Sequence, residues 1–171
     1  RKGKNSIIKS HYKFFYESPS TQTEIPILLD ILFEENNYER ILRKKIKSEF
    51  LILEGDNLEV FVPSVESILG DKLTAFAPNT TGIEYAYINK NGQTVEKTLE
   101  VIKQFLDCAQ LIKEAKNFNE VLETYKRIVL SEIEYRGITA SYEDCLIDTF
   151  NAALSIFTRG SLFSDQYKHL L

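Results

Sequence analysis

Methionine is absent from all 171 residues, and the chain opens on Arg1 rather than on an initiator. A chain of this length ordinarily carries several methionines, so the sequence reads either as a fragment of a longer product or as one from which residues are missing. Cysteine is nearly absent too. Cys108 and Cys145 are the only two, each lies inside a helical pattern, and neither has a CxxC partner. That argues against a metal knuckle or a disulfide framework and for reduced, structural thiols. No apolar run approaches the roughly 20 residues needed to cross a bilayer, and no signal-peptide pattern is present. These absences together read as a cytoplasmic protein without a membrane partner. An excess of positive charge is also missing. The net charge of −4 argues against a surface given over wholly to nucleic acid. Two local basic runs remain, Arg1-Lys2-Gly3-Lys4 and the group Arg40, Arg43, Lys44, Lys45 and Lys47. Most such runs are solvated faces.

What is present has the balance of an ordinary globular protein, 43% hydrophobic and 27% charged. The length fits one domain or two small ones with a substantial core. The most informative stretch runs from Val62 to Pro78. Pro63 and Ser64 give a helix start, Ser64 being a good N-cap, and Pro78 gives the stop. Val65, Ile68, Leu69, Leu73 and Phe76 recur at the three-and-four spacing of one helical face. Lys72 stands four residues after Ile68 and four before Phe76, so its stem runs along apolar surface. Its ammonium either snorkels to the rim or meets an anion at the floor of a cleft.

The second informative stretch is Ile25 to Phe33. Ile25, Ile27, Leu29, Ile31 and Phe33 make one face of a strand, and Leu28 and Leu32 make the other face apolar as well. Two-sided burial predicts a central strand covered by helices. Asp30 sits among the leucines of the second face, where an ionised carboxylate is costly unless paired, hydrogen-bonded or bound to metal. The plain alternative is a strand end where Asp30 meets a backbone N–H.

Elsewhere the pattern predicts a strand over Ser10 to Tyr16 and a turn over Glu17 to Thr23. Helical character follows over Tyr38 to Lys47, then a hairpin over Phe50 to Val62 around Glu54-Gly55-Asp56-Asn57. Glu84 to Ile88 and the Asn91-Gly92 pair suggest a tight turn without a firm placement. From Val95 onward the expectation is helix throughout, with a broad apolar stripe from Val95 to Ile112 edged by Lys103, Asp107 and Gln110. Asp107 is placed to pair with Lys103 one turn back, worth only about 0.2–0.5 kcal/mol. A third helix runs from Phe118 and ends by Gly137. Ser141 with Asp144 caps a fourth that stops at Gly160, and a short last helix starts at Ser164. The result is an α+β chain, a sheet region over 1–62 followed by a helical domain over 63–171. Three polar residues carry its chemical information: Asp30, Lys72 and Asp107.

The order HYKFFYESP, IPILLDILFEE, VPSVESILGDKLTAFAPNTTGI and IKQFLDCAQL resembles the AbiEii/AbiGii toxin family. These are nucleotidyltransferases of bacterial abortive-infection and toxin–antitoxin systems, which act in phage defence. The resemblance runs from about Ser10 to Ile112. It implies the remnant of a polymerase-β-like sheet, in which three carboxylates hold two divalent metals, Mg²⁺ or Mn²⁺, around a nucleoside triphosphate. By that resemblance Asp30 matches the third carboxylate, a metal ligand or base. Lys72 matches the lysine that neutralises the triphosphate, and Lys103 lies in the same nucleotide-binding region. Asp107 matches the acid of the later helix motif, whose usual Arg-Asp is Lys103-Gln104 here. The family's Gly-Ser turn and Asp-x-Asp pair have no counterpart before Ser10. The expected activity, nucleotidyl transfer to an RNA end, tRNA included, or to a protein hydroxyl under restraint by an antitoxin, therefore belongs to a full-length parent. The alternative is a non-catalytic helical module derived from that fold and devoted to binding a partner.

Overall fold

Runs of β-branched and aromatic residues separated by a polar turn form the first element pair. In a computed structural model that describes residues 8–47, 49 and 58–171, β1 (Ile8–Glu17) and β2 (Glu24–Phe33) are antiparallel from Ile8 opposite Phe33 to Glu17 opposite Glu24. The turn closes through the Ser18 N–H to the Thr23 carbonyl at 2.9 Å. Alternation sorts the side chains by face. Tyr12, Phe14 and Tyr16 lie with Leu29, Ile27 and Ile25, while Lys9, His11 and Lys13 lie with Leu32, Asp30 and Leu28. The expected two-sided burial is not found, because Ile27, Leu28 and Leu29 are 58%, 64% and 44% exposed. A two-stranded ladder has no second layer of its own, so apolar composition on both faces does not by itself bury either.

The chain divides into two compact units, residues 1–36 and 37–171. The first holds β1 and β2. The second begins with β3 (Ile41–Lys45) and β4 (Glu59–Pro63), antiparallel from Ile41 opposite Pro63 to Lys45 opposite Glu59. The helix expected over Tyr38 to Lys47 is thus replaced by a strand. Leu42 and Ile46 are four apart, a spacing that puts two residues on one side of a strand as well as of a helix. The expected hairpin partner Phe50 to Leu53, the turn Glu54 to Asn57 and the opening run Arg1 to Lys4 lie outside the described residues. The β3–β4 pair belongs to the same compact unit as the helices that follow.

At the centre of that unit is α1 (Val65–Ala75), packed on α2 (Thr98–Glu114), α3 (Phe118–Arg136) and α4 (Tyr142–Phe157). Leu69, Phe76, Val101, Cys108, Val121 and Ala152 are buried together, and Tyr125, Val129 and Cys145 form a second cluster that shares Leu73 with the first. Helices α1 and α3 approach so closely at Gly70 that an added Cβ would lie 2.7 Å from the Val121 carbonyl oxygen. Before α2 a small hairpin, β5 (Ala86–Ile88) with β6 (Thr94–Glu96), turns at Gly92, whose φ of 77° suits glycine. Val95 is therefore a strand residue opposite Tyr87, and the helix begins only at Thr98. The capped fourth helix is found, Ser141 and Asp144 forming a reciprocal capping box, and α5 (Ser164–Lys168) closes the chain. Helices and small antiparallel sheets together make the fold α+β.

Candidate functional site

Helix α1 starts where Ser64 accepts a hydrogen bond from the Ser67 N–H at 3.1 Å. Its packing face is set by Leu69 and Phe76, 0% and 2% exposed, and Lys72 lies on the α2 side of that face in the last turn. A cation there is also favoured by the negative end of the helix dipole. The ammonium donates to Asp107 Oδ2 at 2.9 Å and to Gln104 Oε1 at 3.2 Å, both on α2. Gln104 is buried, whereas the side chains of Lys72 and Asp107 are 30% and 34% exposed. The stem thus runs through the α1–α2 seam and the charge arrives at its rim, already positioned. An ammonium has three N–H donors, and two are engaged, which leaves one for a ligand among the described residues.

The partner of Asp107 is Lys72, across the helix pair, and not Lys103 on its own helix. Lys103 is on the exposed side of α2. In the sequence Gln104 enters only as part of the Lys103-Gln104 pair that stands where the family pattern has Arg-Asp, and not as a residue of the seam. Its spacing from Val101 and Cys108, three before and four after, is the signal that it faces the seam.

Two nearby groups report burial, Asp71 on the α3 side of α1 and Cys108 in the α1–α2 seam. Asp71 accepts from the Tyr38 hydroxyl at 3.0 Å, yet burial holds its carboxyl above the usual carboxylate range against the opposing effects of that bond and of Lys72. Burial likewise pushes the Cys108 thiol up to about 12, only partly countered by Lys72. Cys108 is consequently a neutral packing residue with no nucleophilic character.

Asp30 belongs to the other unit, at mid-strand in β2. It is neither at a frayed end nor bonded to a backbone N–H: the residue opposite it is His11, whose Nδ1 lies 2.6 Å from Asp30 Oδ1. The two side chains are 67% and 66% exposed. Among the described residues no group of three or more His, Cys, Asp or Glu side chains is arranged to hold a metal ion. One carboxylate and one imidazole do not satisfy an ion such as Mg²⁺, which takes six oxygen ligands in near-octahedral order. The described residues alone therefore do not fit the metal pair that the resemblance implies.

Two further acids are buried in structural roles. Glu120 on α3 accepts from the Ser64 and Ser67 hydroxyls and pairs with Arg40 at 3.7 Å, tying α3 to the start of α1. Asp148 on α4 accepts from the Asn79 N–H at 2.8 Å, the Asn79 amide at 2.6 Å and the Thr80 hydroxyl at 2.9 Å, which fixes the loop after Pro78. A cavity of about 420 Å³ between α1, α2 and α4 is lined by Leu73, Phe76, Phe105, Ile112, Leu146 and Phe150 among others. Its lining suits apolar groups and not a triphosphate. No described helix is long and apolar enough to cross a membrane.

Compared with known proteins, residues 2–169 match the model of the family described as nucleotidyl transferase AbiEii toxin, type IV toxin–antitoxin system. No curated protein and no solved structure matches the chain.

Proposed function

The chain belongs to the AbiEii family of nucleotidyl transferase toxins of type IV toxin–antitoxin systems, and from that premise we propose that its helical unit carries the triphosphate-binding side of the transfer site, with Lys72 as the anion-binding group. The observation that carries this is the Lys72 ammonium, fixed by buried Gln104 and by Asp107 with one donor to spare. In nucleotidyl transfer an acceptor hydroxyl attacks the α-phosphorus of a nucleoside triphosphate and pyrophosphate departs. Negative charge accumulates on the departing oxygens, and a cation already in place stabilises it without reorganisation.

Position 104 sharpens the reading. A second carboxylate there, as in the usual family pattern, would give the ammonium two anions to satisfy. With an amide the local formal charge of Lys72 and Asp107 is zero, so an incoming phosphate meets less repulsion. Asp107 acts as the positioning residue for Lys72, and Lys103 adds positive charge on the same helix. Asp30, on its own unit, is assigned the carboxylate of the sheet. Transferases of this kind generally work with divalent metal and a nucleoside triphosphate. Magnesium or manganese is the ion we assign, and because the described residues do not cage one, no step is routed through it. The acceptor is a hydroxyl of an RNA end, tRNA included, or of a protein, and a cognate antitoxin restrains the reaction.

The test is transfer of labelled nucleotide to total cellular RNA and protein by the full-length parent protein and by its Lys72→Ala variant, with melting temperatures alongside. We expect a loss of about a hundredfold, the scale of removing one preorganised electrostatic group, with the fold retained. Near-normal transfer by the variant rejects the role of Lys72. A folded full-length parent that transfers nothing to either acceptor pool favours the non-catalytic module.

A further inference from the structure

The basic group at Arg43, Lys44, Lys45 and Lys47 acquires a context that the sequence did not show. It does not lie on a helix but along strand β3 and its exit, and its cross-strand neighbour is an exposed aromatic. Phe61 on β4 is 76% exposed and stands directly opposite Arg43. Alternation puts Ile41, Arg43 and Lys45 on one face with Pro63, Phe61 and Glu59. The opposite face carries Leu42, Lys44 and Ile46 with Val60 and Val62; Lys44 and Val60 are exposed, while the partly buried Leu42, Ile46 and Val62 hold the ladder to its unit and leave the Phe61 face presented outward. Side chains directly opposite on such a ladder sit about 5 Å apart at Cβ. Arg43 pairs with Glu59 at 2.7 Å, and Lys45 and Lys47 are exposed.

A ring this exposed gains nothing from the fold, and four cations within five positions on a chain of net charge −4 are not a general property of its surface. An aromatic face flanked by cations is the arrangement that holds a single strand, with a base stacked on the ring and phosphates beside the lysines. We propose that the outer face of the β3–β4 ladder binds single-stranded nucleic acid, with Phe61 as the stacking platform and Arg43 and Lys45, followed by Lys47 at the strand's exit, tracking the backbone. An acidic polypeptide would satisfy the charges but would leave the ring unused, so the single strand fits the observations better. This surface does not depend on Lys72 or on any transfer chemistry.

The experiment is fluorescence anisotropy of the 171-residue chain with a labelled, unstructured twelve-nucleotide RNA across a salt series, with poly-glutamate as the rival probe. With about three phosphates contacted, the logarithm of affinity should fall against the logarithm of salt with a slope of about −2. Phe61→Ala should weaken binding by about five- to a hundredfold at an unchanged slope, and Phe61→Tyr should restore it. Lys45→Glu with Lys47→Glu should weaken binding and flatten the slope. Lys72→Ala should leave binding intact, so a failed transfer assay and a failed RNA assay separate the two readings. RNA binding indifferent to Phe61, absence of RNA binding by the folded chain, or poly-glutamate competing equally at the same site would overturn the proposal; the last result would assign the face to an acidic protein.

Discussion

Two charges set among apolar residues meet opposite fates in the two units. Asp30 lies between Leu28 and Leu32 on a strand, Lys72 between Leu69 and Phe76 on a helix, and in the sequence both look like charges forced toward a core. On the β1–β2 ladder Asp30 and its neighbours remain exposed, and its partner His11 is exposed as well. In the helical unit Lys72 runs between α1 and α2 and ends against a buried amide. The difference lies in layers. A helix stripe in this unit finds three other helices, whereas a two-stranded ladder offers no second layer of its own. An apolar pattern thus states which faces seek cover, and only the packed partner decides which residue is fixed.

If the helical unit owes its order to close packing, its tightest approach should be its most sensitive point. Gly70→Val places a branched side chain against the Val121 carbonyl, and backbone cannot yield as a side-chain tip can. We expect a loss of about 3 kcal/mol or more, seen as a melting temperature lower by about 10 °C. A control on the ladder, Leu29→Ala, should change stability by less than about 1 kcal/mol, since Leu29 is 44% exposed. Equal effects would remove the contrast between the units.

Next in size is the charge balance around Lys72. Gln104→Asp should weaken triphosphate binding by about tenfold, the effect of an added carboxylate within hydrogen-bond reach of the phosphate's cation. Titration calorimetry with a non-hydrolysable nucleoside triphosphate reads this directly. Tighter binding by the aspartate variant would show that the amide is not what leaves Lys72 available.

Much of this was legible in the chain, and the exceptions have definite causes. The cap at Ser64, the stripe of α1 and the capping box at Ser141 are local, so sequence spacing contains them. Strand β3 was read as a helix because Leu42 and Ile46 satisfy both periods. Val95 was read as a helix start because a three-residue strand offers too few positions to show alternation. The Lys72–Asp107 pair was invisible because it joins residues 35 apart, while the sequence offers Lys103 four away. Asp148 was missed, although it is the lone charge between Cys145 and Phe157 and could have been noticed as Asp30 was.

Asp71, next to Lys72 in sequence but on the α3 side of α1, yields a smaller effect with a defined sign. Burial raises the Asp71 carboxyl in the folded state, so the folded chain holds that proton more tightly than the unfolded chain does. For such a group stability is fully present below the unfolded value and falls as pH rises through the folded one. Asp71→Asn, which still accepts from Tyr38, removes the titration. At neutral pH the variant should melt slightly higher than the wild type, and the gain should vanish in acid below about pH 4. A variant less stable at every pH would mean that the ionised carboxylate is what Tyr38 and Lys72 hold in place.

The smallest effect is expected where the sequence suggested a costly charge. His11 and Asp30 face one another across β1 and β2 at 2.6 Å, each about two-thirds exposed. Water solvates both groups in the folded and unfolded chain alike, so what the pair gains is a cross-strand contact of about 0.2–1 kcal/mol, reduced by side-chain ordering and salt. His11→Ala and Asp30→Asn should each shift the denaturant midpoint by less than about 0.5 kcal/mol equivalent, and the double variant should match the sum within error. Chemical denaturation of the full chain in low and in high salt measures both terms. A loss above about 1.5 kcal/mol for either variant, or strong coupling between them that survives high salt, would mean that this face is covered in solution. Asp30 would then be a buried, positioned carboxylate after all, and the contrast with Lys72 would disappear.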